Sequence, residues 1–348
     1  MTSDAATVIF GNQIATDLVE VSSDPACLDT TGWWAVVKTF EGDFQAFRFA
    51  NVQAIDSSQL DFGTHQAIAQ DSWVPSLTSE QYQSAVQIVR ESIAEGWVYQ
   101  TNLCLTMSSV LKQEFNPLAL WRLLSANHAA PYLSAFSISA KESGLGADVK
   151  IASASPELFL RRQGSNLMTS PIKGTATNAG SLLDKDSTEN VMIVDLMRND
   201  FSRICEPGSV GVPEILRLEK HPGLVHLVSD VQGNLRDGIT WPEILINTTP
   251  AGSVSGAPKS SAIEVIQRLE DEGREVYCGV LGWVNADEQS AELAVGIRTF
   301  WQSRLNGEDC LKFGTGAGIT WGSDPLGEWQ ETQLKAARLI SVAAMSTL

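Results

Sequence analysis

Apolar residues along this chain recur at two spacings, and the spacing changes from one stretch to the next. Trp33–Phe40 and Phe44–Val52 read as strands, the second with a mixed apolar pattern from Phe44, Phe47 and Phe49. Ser79–Ala94 sets Val86, Val89 and Ile93 at helical spacing. Pro117 suits a first helical turn because its φ is already fixed, so a second helix is expected there. In the second half, Val276–Asn285, Glu292–Gln302 and Cys310–Thr320 read as strands. Asn306-Gly307 supplies the two positive-φ residues of a type I′ hairpin. Strands joined so closely predict an antiparallel sheet rather than β-α-β units. The segment Pro325–Leu348 reads as a helix, with Asp324 as cap, Pro325 in the first turn, and Leu334, Ala337 and Ile340 on one apolar face. The pattern is that of an α+β fold. Neither repeats nor low-complexity tracts interrupt it, which argues for one compact unit.

Composition narrows the function classes. Of 348 residues, 43% are hydrophobic and 19% charged, a balance that supports a large soluble core. The net charge of −17 disfavours nucleic acid and anionic membranes as partners, because both need clustered Lys and Arg. An anionic substrate would need local cations or a metal to reverse that field. The five cysteines (27, 104, 205, 278 and 310) are widely spaced, as expected of reduced thiols in a cytoplasmic protein. The first residues lack the basic start of a signal peptide, and no apolar run reaches the ~20 residues of a membrane span. The ten Trp are scattered and read as packing.

Candidate chemistry follows from spacing. Asp186 and Glu189, at the start of an expected helix over 186–200, share a helical face, as do Glu328 and Glu331 in the terminal helix. Two such helix ends brought together would offer the oxygen ligands that Mg²⁺ prefers. The same acids also complement a helix dipole or complete a capping box, and spacing alone leaves both readings open. The stretches Pro250–Lys259 and Gly314–Gly318 are glycine-rich but match neither a Walker A nor a dinucleotide fingerprint. Lys173, between Ile172 and Gly174, would become a nucleophile if its position were desolvated. It would otherwise be an ordinary surface charge.

Taken jointly the motifs are more specific. Glu95-Gly-x-x-Tyr-Gln-x-Asn-Leu103, Ser155-Pro-Glu-Leu-Phe159, Pro171-Ile-Lys-Gly-Thr175 and the run 189–200 occur in order. They are followed by His226-Leu-Val-Ser229, Pro250–Lys259, Ile297-Arg-Thr299, Gly316-Ala-Gly-Ile319 and the run 331–336. Over roughly residues 80–340 this resembles the chorismate-utilising enzymes. That family includes anthranilate, isochorismate and salicylate synthases and component I of aminodeoxychorismate synthase.

The resemblance implies stacked antiparallel β-sheets flanked by helices, with chorismate and Mg²⁺ in the cleft between the sheets. Residues 1–75 would form a short strand-rich region packed on a catalytic region at 76–348. Glu189 and Glu331, with Asp186 and Glu328 as second carboxylates, match the magnesium positions. Tyr277, Arg298, Gly316, Gly318 and Lys335 match positions that hold the substrate's carboxylates. Ser253 and Thr175 line the pocket, and His226 lies beside the ring hydroxyl. Isochorismate and salicylate synthases carry a water-activating lysine where this chain has Gln100. Anthranilate synthases have Ala at Lys173. Within the family these positions favour amination of chorismate to 4-amino-4-deoxychorismate, on the way to 4-aminobenzoate and folate, with anthranilate synthesis as the alternative. Lys173 would be the nucleophile and Glu157 the general acid. No cysteine has the flanks of a glutaminase nucleophile, so ammonia is expected from a separate glutaminase subunit. A catalytically inactive chorismate-binding subunit is disfavoured, because these acids and bases are all present.

Overall fold

The computed structural model describes residues 5–55, 62–128, 130–176, 184–221 and 224–346. For Thr175 and Asp186 it describes only the backbone. Among the described residues, 18 strands join in one hydrogen-bonded network, and every pairing is antiparallel. The network wraps two large apolar cores. In one, Trp34, Phe47, Leu281 and Leu293 pack against Ile193, Met197 and Phe201 of the Asp184–Ser202 helix. In the other, Tyr82, Leu103, Leu120, Phe300 and Phe313 meet Ala336, Leu339 and Ile340 of the Pro325–Ala343 helix. Burying each such side chain stabilises the fold by roughly 1.5–3 kcal/mol before chain entropy is counted.

Strands near the two ends of the sequence pair directly. Trp33–Lys38 lies between Phe44–Ala54 and Val280–Asn285, and Thr7–Phe10 pairs with Tyr132–Ile138. Strand Gln100–Val110 runs antiparallel to Glu308–Ile319, setting Gly316 opposite Cys104 and Gly318 opposite Asn102. Asn306 and Gly307 both have positive φ and close the hairpin between Thr299–Leu305 and Glu308–Ile319. Asp324 caps the terminal helix by accepting from Gly327 N at 2.8 Å. All five cysteines are free thiols. Among the described residues no helix is long and apolar enough to cross a membrane.

Three expectations are corrected. Glu292–Gln302 is two strands, Ser290–Val295 and Thr299–Leu305, which pair with different neighbours. Between them Arg298 takes φ 53°, a left-handed backbone that no strand can continue. The strand expected from Val276 begins at Val280, because Cys278 is also left-handed (φ 61°). On the terminal helix, Leu334 is 76% exposed and Ala337 is exposed as well. The buried stripe is Thr332, Ala336, Leu339, Ile340 and Ala343.

Candidate active site

A cleft of about 600 Å³ opens between the two cores, within the range of small-molecule sites. Its floor is strand Glu308–Ile319. The ring of Tyr277 occupies the space a Cβ on Gly314 would need, and the Gln100 side chain does the same at Gly318. Glycine is required there so that these side chains can lie against the backbone.

One wall is the Pro250–Lys259 segment. It is tied to the Asp184–Ser202 helix by Lys259 Nζ and Asp200 Oδ2 at 2.7 Å, and by Gly252, where a Cβ would come within 2.5 Å of Leu196. Buried Arg274 anchors the same wall. It donates to Val254 O (2.8 Å), Asn102 O (2.7 Å) and both oxygens of Glu270, and it stacks on Phe40. Val254 and Asn102 both line the cleft.

Against this wall lies Lys173, whose Nζ donates to Ser253 O at 3.0 Å. Burial pulls its ammonium below the usual lysine range, while Glu189 and Glu157 oppose the shift. Glu157 sits in the turn after strand Val149–Ser155. Its N–H donates to Ser155 Oγ at 3.3 Å and its carbonyl accepts from Val295 N at 3.1 Å. Burial pushes its carboxyl up to about 7, although Ser253, Lys173, the Ile172 N–H and Arg298 all pull it down. A desolvated amine beside a carboxyl that keeps its proton near neutrality is a nucleophile with an acid at hand. His226 is buried on strand Leu224–Asn234, opposite Thr175 in the ladder, and reaches the same cleft.

The terminal helix forms the other wall and changes charge along its length. Glu328 and Glu331 come first, then Lys335, then Arg338. Lys335 Nζ pairs with Glu331 Oε1 at 2.7 Å and donates to Gly316 O at 3.2 Å. Glu189 enters from the opposite helix. These acids are an all-oxygen donor set of the kind a divalent cation takes. They face one cleft, but among the described residues no three acid, His or Cys side chains gather tightly enough to bind an ion. At the other end Arg298 and Arg338 approach each other, and His128 stands beside Arg298.

Of the residues singled out from the sequence, Glu157, Lys173, Glu189, His226, Ser253 and Tyr277 line this cleft. Arg298, Gly316, Gly318, Glu328, Glu331 and Lys335 line it too. The side chains of Thr175 and Asp186 lie outside the described residues. Sequence reasoning missed Asn102, His128 and Arg338. His128 follows the Pro117–Asn127 helix as its cap residue, and nothing in its spacing marks it.

A cleft that sets a half-buried amine and a proton-holding carboxyl between acids and arginines suits a small anionic molecule. The chain belongs to the family described as chorismate binding enzyme, which it matches over residues 43–341. It is 35% identical to anthranilate synthase component 1 of Neisseria gonorrhoeae, over 82% of this chain and 57% of that protein. The relative from Streptomyces coelicolor, also named anthranilate synthase component 1, is 35% identical over 77% of this chain and 52% of its own length. The chain thus spans a little over half the length of these relatives. Among solved structures, anthranilate synthase component I of Streptococcus pneumoniae TIGR4 superposes with a TM-score of 0.69 at 26% identity, covering 95% of this chain and 81% of its own. The menaquinone-specific isochorismate synthase of Escherichia coli reaches 0.77 at 18% identity, with 99% and 89% covered, and shares the fold.

Proposed function

We propose that this chain aminates chorismate with ammonia to give 4-amino-4-deoxychorismate. The observation that carries the reading is Lys173, a half-buried amine that desolvation biases toward its neutral form, next to a carboxyl that holds a proton to about 7. The Lys173 nitrogen bonds to C2 of chorismate, both ring double bonds shift one position (C1=C2 to C1=C6 and C5=C6 to C4=C5), and the C4–O bond breaks. Glu157 gives its proton to the departing oxygen, which leaves as water, and the carboxylate can take up the proton lost by the amine. Ammonia then bonds to C4 and gives up a proton, both double bonds shift back, and the Lys173 nitrogen leaves C2 taking up a proton as the free amine. The sum is chorismate plus ammonia giving aminodeoxychorismate plus water, with the enolpyruvyl group kept.

Tyr277, Ser253 and His226 line the space beside the ring, and Arg298 and Lys335 are cations for the carboxylates. Glu189 and Glu331, with Glu328 and Asp186, are the residues that would hold Mg²⁺, which would supply positive charge against a substrate carboxylate. Ammonia would come from a separate glutaminase subunit.

A second reading is favoured by the relatives, since those reported above at 35% identity are named anthranilate synthase component 1. In that case ammonia attacks the ring directly and Lys173 forms no bond. The test is to incubate the protein with chorismate and Mg²⁺, with and without ammonium. The proposed reaction gives a product that keeps the enolpyruvyl group. Without ammonia, it also gives an adduct on the Lys173 peptide with the mass of chorismate less one water. Lys173→Ala should lose both, and Lys173→Arg should fare no better, because a guanidinium stays protonated. Anthranilate as product, or an active Lys173→Arg enzyme with no adduct, would refute the covalent reading.

A further inference from the structure

The last residues of two of the ordered motifs meet in the fold. Asp200 closes the run 189–200, Lys259 closes Pro250–Lys259, and Lys259 Nζ lies 2.7 Å from Asp200 Oδ2. The same ammonium donates to Thr248 O at 3.3 Å, eleven residues back along the chain. It therefore holds the two ends of the cleft wall together and fastens them to the helix that carries Glu189. Both side chains are shielded, at 17% exposure for Lys259 and 8% for Asp200. Burial raises the Asp200 carboxyl, and Lys259 draws it back toward its charged form. Lys259 is also the first residue of the helix Lys259–Leu269, where a cation opposes the helix dipole. A shielded ion pair seldom adds net stability over an apolar pair of the same size. What this one sets is geometry.

The wall presents one atom to the chemistry. Ser253 lies within it, and its carbonyl accepts from Lys173 Nζ at 3.0 Å. A neutral amine that donates an N–H to a fixed acceptor has its lone pair turned away from that acceptor, so the place of Ser253 O decides where Lys173 aims. On the floor side the wall is tied by Asn102 N donating to Ser255 O at 2.8 Å and by the pairing of Gly256 with Thr101. On the helix side it meets Leu196 through Gly252, and Asp200 through Lys259. Leu196 and Asp200 stand one turn apart on the same helical face. The leucine contact is non-directional, and the ion pair adds the directional tie.

We propose that Lys259 and Asp200 are positioning residues for the nucleophile, whose ion pair sets the wall so that Ser253 O aims the Lys173 amine at the substrate ring. Neither side chain lines the cleft, so both act through the wall. The proposal rests on the reading of Lys173 as the attacking amine.

The test follows formation of the Lys173 adduct after rapid mixing with chorismate and Mg²⁺ in the absence of ammonia, read by mass, with urea unfolding measured alongside. Lys259→Met should slow adduct formation by about 10–10²-fold, the scale of a small misplacement of reacting groups. The chorismate concentration for half-maximal rate should stay within about twofold, because the substrate contacts are untouched. The same variant strands the Asp200 charge and should lower stability. Adding Asp200→Asn removes that charge, so the double variant should recover stability and remain slow. A double variant whose adduct rate recovers with its stability would reduce the pair to a structural bond and overturn the proposal. So would a Lys259→Met protein that forms the adduct within about twofold of the wild-type rate. A wild-type protein that forms no adduct would instead overturn the Lys173 reading, and the positioning role with it.

Discussion

Replacing Arg274 with Met should be among the most damaging single changes available outside the chemistry. The methionine keeps the length and the contact with Phe40 but removes four hydrogen bonds at 2.6–2.8 Å. The Glu270 carboxylate is then buried at 8% exposure with no cation, and the carbonyls of Val254 and Asn102 lose their donor. Breaking a buried pair on one side costs about 3–5 kcal/mol, mostly as the penalty of the stranded charge. Cys104 N still donates to Glu270 Oε1 at 2.8 Å, which argues for the lower half of that range. If the stranded charge dominates, adding Glu270→Gln should return about 1–2 kcal/mol, since a neutral amide is cheaper to bury. The measurement is urea unfolding followed by tryptophan fluorescence, comparing midpoints at matched slopes. Arg274→Met within about 1 kcal/mol of wild type, or a double variant less stable than Arg274→Met alone, would refute the clamp. Activity should fall too, because Val254 and Asn102 line the cleft.

The remaining predictions concern Glu157 and the acids. Glu157→Gln should lower turnover by the ~10²–10⁴-fold typical of general acid catalysis, with chorismate affinity little changed, and a near wild-type rate would remove Glu157 from the mechanism. Because the acid works protonated and titrates at about 7, kcat/KM for the wild type should fall as pH rises through that value. The folded-state pKa lies above the ordinary glutamate value of 4.5, so Glu157 stabilises the fold most below 4.5 and loses that contribution as pH rises toward about 7. Glu157→Gln should flatten this part of the stability–pH curve. Glu331→Gln or Glu189→Gln should abolish Mg²⁺-dependent turnover without unfolding the protein. Full activity in excess EDTA would reject the metal assignment.

Local signals in the sequence translated into local structure. Asn306-Gly307 marked its hairpin because positive φ is a property of those two residues, and Asp324-Pro325 marked a helix start for the same kind of reason. What periodicity missed was set by tertiary demands. Arg298 interrupts an apolar run that would otherwise pass as one strand, and only the left-handed backbone at that position reveals the break. Leu334 fits an apolar helical face by spacing but is exposed at the cleft, because the helix turns its small residues toward the core instead. His128 gains its meaning from Arg298, a residue far away in sequence, and no spacing rule connects them. Ordered motifs identified most of the candidate site residues, but spacing could not say that Lys173 would be desolvated or that Glu157 would hold its proton.

The seating of Trp33–Lys38 between Phe44–Ala54 and Val280–Asn285 has a consequence for how the molecule is made. A strand from the beginning of the sequence cannot gain its second neighbour until the chain extends to Val280–Asn285, so the loop that closes is well over half of the sequence. Loop entropy must be met before that pairing returns any stability. Topologies dominated by such distant pairings fold on the slow side, roughly milliseconds to seconds. During that interval Trp33, Trp34 and Val36 sit on an unpaired strand edge, the kind of surface that joins another chain's strand as readily as its own.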